Sequence, residues 1–163
     1  MQIRVTELAD LPAVMRIYES ARQLMRDSGN PSQWGSGYPS VEIVIADIEQ
    51  GQSYVCVDDD GDIVGVFCYF VGDEPTYQNI YEGQWIGDGP YGVVHRIASS
   101  GKHRGVATFC INWCLSNHPN IRIDTHRNNH AMHHLLSKMD FTRCGIIYLE
   151  DGSERVGYEK VVF

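Results

Sequence analysis

Val93 to Leu115 reads VVHRIASSGKHRGVATFCINWCL. A β-branched run containing Val93, Val94 and Ile97 gives way at Ser99 to small and polar residues, and from Arg104 onward apolar residues return at helical spacing. The expectation is a strand, a tight turn, and a helix opened by Arg104, Gly105, Val106 and Ala107. A helix N-terminus presents N–H groups without intrahelical acceptors and a partial positive charge, so it suits an anion. Gly105 and Ala107 carry little or no side chain, which lets a bulky phosphate reach the backbone, while Lys102, His103 and Arg104 add positive charge beside it. A pyrophosphate fits such a turn, although the same strand, glycine turn and helix occur in α/β folds that bind nothing there. Neither GxxxxGK[ST] nor GxGxxG is present, so no triphosphate or dinucleotide signature is met.

Outward from this stretch the chain alternates strand and helix periods. Gln2 to Thr6 reads as a strand and Asp10 to Arg26 as a helix with Pro12 in its first turn, ending at Ser28 to Pro31. The loop SQWGSGYPS leads into a helix over Val41 to Glu49. SYVCVD and IVGVFCYFV, separated by DDGD, read as a hairpin. After the helix that follows Arg104 come the strand IRIDTH, the helix NNHAMHHLLSKM and two strands around EDGSE. The order β-α-α-β-β-β-α-β-α-β-β implies a mixed α/β sheet with helices on both faces, in one domain over residues 1–163.

At 163 residues the chain can bury a self-sufficient core without disulfides. Its five cysteines, Cys56, Cys68, Cys110, Cys114 and Cys144, are odd in number and lie mostly in apolar runs, so they read as reduced thiols of a cytoplasmic protein. Cys110 and Cys114 could face one side of a helix as metal ligands, but no second Cys/His pair has finger-like spacing, and no metal is expected. No leader pattern opens the chain and no apolar run approaches the ~20 residues of a membrane span. A net charge of −8 disfavours nucleic acid and leaves room for a cationic partner such as a polyamine or basic peptide.

The segment Lys102-His103-Arg104-Gly105-Val106-Ala107 resembles the signature of the GCN5-related N-acetyltransferase family, Q/R-x-x-G-x-G/A at the start of a helix after a strand, with lysine in the first position. IRIDTHRNNHAMHHLLSKMDF resembles the family's second motif, with Asn129, Met132 and Phe141 in place, Asp140 where glycine is usual, and Leu136 where many members have a tyrosine general acid. Element order extends the resemblance over essentially the whole chain. It implies the acyl-CoA N-acyltransferase fold, a sheet split by the cofactor, and acetyl-CoA as acetyl donor to the amine of a small molecule or peptide. Positions matching Ile97, Ala98 and Ser99 would pair with the pantetheine arm, Lys102 to Thr108 would hold the pyrophosphate, and Asn129 would belong to the same cofactor site.

Acetyl transfer to an amine needs a neutral nucleophile, a stabilised oxyanion and a proton for the departing thiolate. Strand alternation puts His95 on the face of Ile97, and an imidazole with pKa about 6.5 suits a base. Tyr148, in the strand CGIIYLE, is the candidate acid, since a phenol of pKa about 10 can protonate a thiolate. Each also has a packing role open to it, as a core histidine and a sheet tyrosine. No cysteine lies beside the turn and no GxSxG elbow exists, so direct attack is expected rather than an acyl-enzyme. Trp34, Tyr38, Tyr77, Tyr81 and Trp85 fall in the two irregular stretches, where aromatics suit a cationic or apolar acceptor amine or pack loops onto the core. Two other readings stay open: a noncatalytic acetyl-CoA-binding module, kept alive by Leu136, and a protein N-acetyltransferase. Association into a homodimer is left open as well.

Overall fold

The computed structural model describes residues 1–35 and 37–162. Among them the chain forms β1 (Gln2–Val5), α1 (Leu11–Asp27), α2 (Val41–Glu49), β2 (Ser53–Val57), β3 (Ile63–Val71), β4 (Gly92–Ser99), α3 (Val106–Asn117), β5 (Asn120–Thr125), α4 (His130–Lys138), β6 (Thr142–Tyr148) and β7 (Glu154–Val161). The order is the one read from the sequence. The strands form one mixed sheet in the order β1-β2-β3-β4-β5-β7-β6. Strands β4 and β5 are parallel, with Gly92 opposite Ile121 and Val93 opposite Arg122, and the pairs β1–β2, β2–β3, β5–β7 and β6–β7 are antiparallel.

Local chemistry sets the ends of these elements. Pro12 occupies the first turn of α1, where its missing N–H costs nothing. The Ser40 hydroxyl accepts from Ile43 N at 3.2 Å and caps α2. In the β2–β3 turn Asp58 Oδ1 accepts from Asp60 N at 3.0 Å and Asp62 N at 2.9 Å, which closes the hairpin around Gly61. At the end of α4 Phe141 N donates to Leu136 O and Asp140 N to Ser137 O, with Asp140 at φ +63°. This is the Schellman pattern, and the buried Leu136 and Phe141 supply the apolar pair that accompanies it. The usual glycine before that phenylalanine is thus a left-handed cap, a conformation Asp can also adopt.

By internal contacts the chain divides into two units: Met1–Tyr69 with His95–Trp113, and Phe70–Val94 with the chain from Cys114 onward. In the first, alternate residues of the strands meet different helices. Val55 and Val66 join Val14, Ile17 and Tyr18 of α1, Val44 of α2, Trp34 and Ala98 in one buried cluster. On the opposite face Trp113 of α3 packs against the rings of Tyr54, Phe67 and Tyr69, at centroid distances of 4.9, 5.9 and 5.7 Å. Gly65 lies on that face too, and a Cβ there would come within 2.6 Å of the Val106 side chain. The first turn of α3 therefore sits on β3 only because residue 65 lacks a side chain.

The second unit is built around a buried ion pair. Arg122 of β5 and Glu159 of β7 are register partners, and Arg122 Nε donates to Glu159 Oε2 at 3.0 Å. Glu159 is fully buried; its Oε1 accepts from Ile86 N at 2.6 Å, while Arg122 Nη2 donates to Gly87 O at 2.7 Å. The guanidinium lies between the rings of Trp85 and Tyr91, 4.4 and 4.0 Å from their centroids. A buried charge left without its partner is costly, so this pair ties the loop around residues 85–87 to β5 and β7.

Candidate active site

The turn between β4 and α3 has the form its sequence implies. Gly101 and Gly105 adopt φ of +81° and +78°, in the left-handed region where a side chain is strained. Space around Gly105 is open, since a Cβ there would meet nothing within 4 Å. The helix starts at Val106, two residues later than Arg104, and its first intrahelical acceptor is Gly105 O, bonded by Phe109 N at 2.9 Å. The N–H groups of Val106, Ala107 and Thr108 consequently have no acceptor within the helix. Ser100 N donates to Val64 O at 2.9 Å and pins the turn to β3.

The three basic side chains of the turn differ in their partners. Lys102 Nζ lies 2.9 Å from Asp58 Oδ2 and 2.8 Å from Asp62 Oδ2, and His103 Nε2 lies 3.0 Å from the same Asp58 oxygen. Lys102, then His103, hold the Asp58 carboxyl well below the usual carboxylate range, and Asp62 and Asp58 push the Lys102 ammonium upward. The acidic turn of the β2–β3 hairpin thus engages two of these three side chains. Arg104 forms no ion pair among the described residues and lines a cavity of about 470 Å³ with Met1, Asp58, Asp59, Asp60 and His103. The carboxylates of Asp58, Asp60 and Asp62 lie within 4.8 Å of one another.

In the middle of β4 the backbone departs from a regular strand. Arg96 has φ +52°, a conformation costing of order 1–3 kcal/mol for a non-glycine residue. The strict alternation that puts His95 on the face of Ile97 is interrupted there, and His95, Arg96 and Ile97 are all partly exposed in succession. Arg96 Nε and Nη2 donate to Asp47 Oδ2 and Oδ1 at 2.9 and 2.7 Å, its Nη1 donates to the Tyr38 hydroxyl at 3.0 Å, and its carbonyl accepts from the Tyr18 hydroxyl at 2.8 Å. Burial, the largest single influence, lowers the pKa of Arg96, but the bonds to Asp47 together with the charges of Cys68, Tyr38 and Asp47 make the net shift upward. Burial likewise raises the Tyr18 phenol well above its ordinary value, so that hydroxyl stays a donor. Of the aromatics expected nearby, Trp34 is in the core, edge-on to Tyr18 at 5.7 Å, whereas Tyr38 is about one-third exposed.

The remaining candidates belong to the second unit. Tyr148, at the end of β6, is 43 % exposed and meets the edge of Tyr81 at 5.4 Å; Tyr81 is 51 % exposed and exchanges two backbone hydrogen bonds with Ile146. Trp85 is held on both sides, by Arg122 and by Gly157, and its Nε1 donates to Tyr77 O at 2.8 Å. Tyr77 is buried and donates to Asp124 Oδ2 at 2.6 Å. Asn129 caps α4 through its side-chain oxygen, which accepts from Met132 N at 3.2 Å. His133 Nε2 faces the His126 carbonyl at 3.0 Å, so it carries the proton, and Nδ1 accepts from Tyr158 at 2.6 Å.

All five cysteines are buried, and burial pushes the thiols of Cys68 and Cys144 up to about 12 and about 11. These two thiols are protonated at neutral pH and so are poor nucleophiles. Missing from the sequence reading were Asp47 and Tyr18, the partners of Arg96. An arginine inside an apolar strand is the only signal that points toward them.

No family model and no curated protein matches the chain. Solved structures do. A GNAT-family acetyltransferase from Streptococcus agalactiae is 32 % identical, superposes with a TM-score of 0.90, and is matched over 99 % of this chain and 95 % of that one. An N-acetyltransferase from Staphylococcus aureus is 18 % identical at TM-score 0.64, over 98 % and 97 % of the two chains. A phosphinothricin acetyltransferase from Sinorhizobium meliloti, in complex with AcCoA, is 11 % identical at TM-score 0.65, over 99 % and 88 %. The last two share the fold alone; the first combines sequence identity with near-complete coverage of both chains, and on that ground the chain belongs to the GNAT family of acetyltransferases.

Proposed function

We propose that the protein is an acetyl-CoA-dependent N-acetyltransferase that acts on the amine of a small molecule or peptide by direct attack. The observation that carries this reading is the turn before α3: an open approach at Gly105, N–H groups at Val106 to Thr108 without helical acceptors, and Arg104, which has no ion-pair partner among the described residues. These features fit a pyrophosphate, because the space at Gly105 is open and charge and donors converge there. Ile97, Ala98 and Ser99 lead directly into this turn and offer strand backbone to an extended pantetheine arm. Lys102 and His103 contribute by fixing the turn on the hairpin. When bound, acetyl-CoA supplies the thioester whose acetyl group is transferred.

The protein's own groups have two tasks. His95, partly exposed on β4, accepts a proton from the acceptor's ammonium at its imidazole, directly or through a water, and the neutral amine so formed attacks the thioester carbonyl. Tyr148, exposed at the end of β6, is the candidate phenol that returns a proton to the leaving sulfur. Tyr38 and the half-exposed Tyr81 are the aromatics we assign to the acceptor; Trp34 packs edge-on against Tyr38 at 6.3 Å, and Trp85 is taken up by the packing around Arg122. Buried thiols fit a cytoplasmic setting, and among the described residues no helix is long and apolar enough to cross a membrane.

Thiol release from acetyl-CoA across a panel of polyamines, aminoglycosides and peptide amines tests the reading. With the best acceptor, His95→Gln is expected to lower kcat/KM by about 10²–10⁴-fold and to remove the acidic limb of the pH profile. A variant that retains both near-normal turnover and that limb rules out His95 as the base and leaves proximity alone as the source of rate.

A further inference from the structure

Arg96 carries more restraints than a surface strand residue needs. Its backbone is left-handed in the middle of β4, its guanidinium is clamped by both oxygens of Asp47, and the same guanidinium reaches Tyr38. Its carbonyl is held by a tyrosine hydroxyl from α1. Asp47 is 7 % exposed and the Arg96 side chain 16 %, so the pair is largely withdrawn from water.

Glycine would adopt this backbone conformation without strain. Stability alone does not explain arginine here either, since an ion pair of this burial gains little over well-packed apolar residues. Strained residues held from several sides cluster at functional sites, where the surrounding structure over-determines them. What the restraints do fix is direction: the planar fork of Arg96 admits one orientation on Asp47, and the Tyr18 bond fixes the peptide that follows. The residues whose directions are set are His95 and Ile97, the two neighbours in β4. The third bond of the fork adds Tyr38, which is exposed enough to meet a ligand.

We infer that Asp47, Arg96 and Tyr38 form a positioning clamp for acetyl transfer: Asp47 holds Arg96 so that β4 presents His95 and Ile97 in the reactive geometry, and Arg96 holds Tyr38 so that the acceptor is received against it. The inference rests on the proposed reading of β4 as the strand that meets the acyl arm. None of the three is a catalytic residue. They act through the backbone of residues 95–97 and through the Tyr38 ring, so disturbing them should affect turnover and the acceptor and spare the binding of acetyl-CoA.

Steady-state kinetics on Asp47→Asn, Arg96→Gly and Tyr38→Phe, with circular dichroism to verify folding and thermal shift to follow acetyl-CoA, test the clamp. Asp47→Asn keeps size and one acceptor oxygen, and Arg96→Gly removes both the clamp and the backbone strain. Both should lose about 10–100-fold in kcat, as expected for a misplacement of about 1 Å, with the KM for acetyl-CoA changed less than about twofold. Tyr38→Phe, which keeps the ring that packs against Trp34, should raise the acceptor KM several-fold and leave that for acetyl-CoA unchanged. A merely structural pair predicts the opposite: altered melting temperatures with kcat and both KM values near wild type in the folded protein, and that result overturns the clamp. If the other two variants do not fold, an acceptor KM unchanged in Tyr38→Phe overturns it alone. Failure of the parent reading looks different, because wild-type protein would then show no thermal stabilisation by acetyl-CoA.

Discussion

Asp58 shows how one side chain organises a turn it does not belong to. One oxygen closes the β2–β3 hairpin through the N–H groups of Asp60 and Asp62, and the other receives Lys102 and His103 from the turn before α3. Those partners hold its carboxyl below the ordinary range. The folded state therefore binds fewer protons than the unfolded chain, whose aspartates titrate near about 3.9, and stability must rise with pH through that region. The contribution of Asp58 is complete above about pH 5 and is lost as the pH falls through 4 and below. Thermal melts from pH 7 to pH 3 should show this acid limb, and Asp58→Asn should flatten it. A variant with the wild-type limb would mean that other carboxylates carry the acid sensitivity. Gly105 and its charged neighbours were legible in the sequence because a left-handed turn before a helix demands glycine locally. Arg96 was not, since Asp47, Tyr38 and Tyr18 lie 49, 58 and 78 residues away and no local pattern encodes them.

At the scale of elements, the order of strands and helices was legible because each segment carries its own period and its own stop: Pro12 in a first turn, a capping Ser40, the DDGD hairpin. Alternation failed in β4, where one left-handed residue interrupts it. Leu136, at the position where many family members have a tyrosine, is the buried partner of Phe141 in the α4 cap, an assignment that depends on how the helix ends. The stretch from Tyr77 to Gly87 separates two kinds of aromatic. Trp85 belongs to the packing around Arg122 and Glu159, while Tyr81 is half-exposed. Trp85→Ala should therefore cost about 3 kcal/mol of stability in denaturant titration by leaving Arg122 uncovered and a void over Gly157. Tyr81→Ala should melt within a degree or two of wild type and raise the acceptor KM. A Trp85→Ala protein as stable as wild type would show that the indole is dispensable to this unit.

For the whole molecule, a sheet of seven strands carries the signature turn, and the family assignment rests on 32 % identity across nearly all of both chains. The boundaries of the two compact units fall inside β3, β4 and α3, where no linker or compositional change marks them. A net charge of −8 accords with a cationic acceptor, which the amine panel addresses. If the turn at Arg104 to Thr108 binds the pyrophosphate of acetyl-CoA, as we propose, thermal stabilisation by acetyl-CoA must differ among wild type, Gly105→Ala and Gly105→Glu. Both substitutions carry the strain of a side chain at φ +78°, so the alanine variant isolates the effect of bulk and negative charge. At a ligand concentration about 100 times Kd, wild type should gain about 2.7 kcal/mol. Gly105→Ala should keep a reduced gain and Gly105→Glu none; a folded Gly105→Glu protein stabilised as much as wild type would contradict the account.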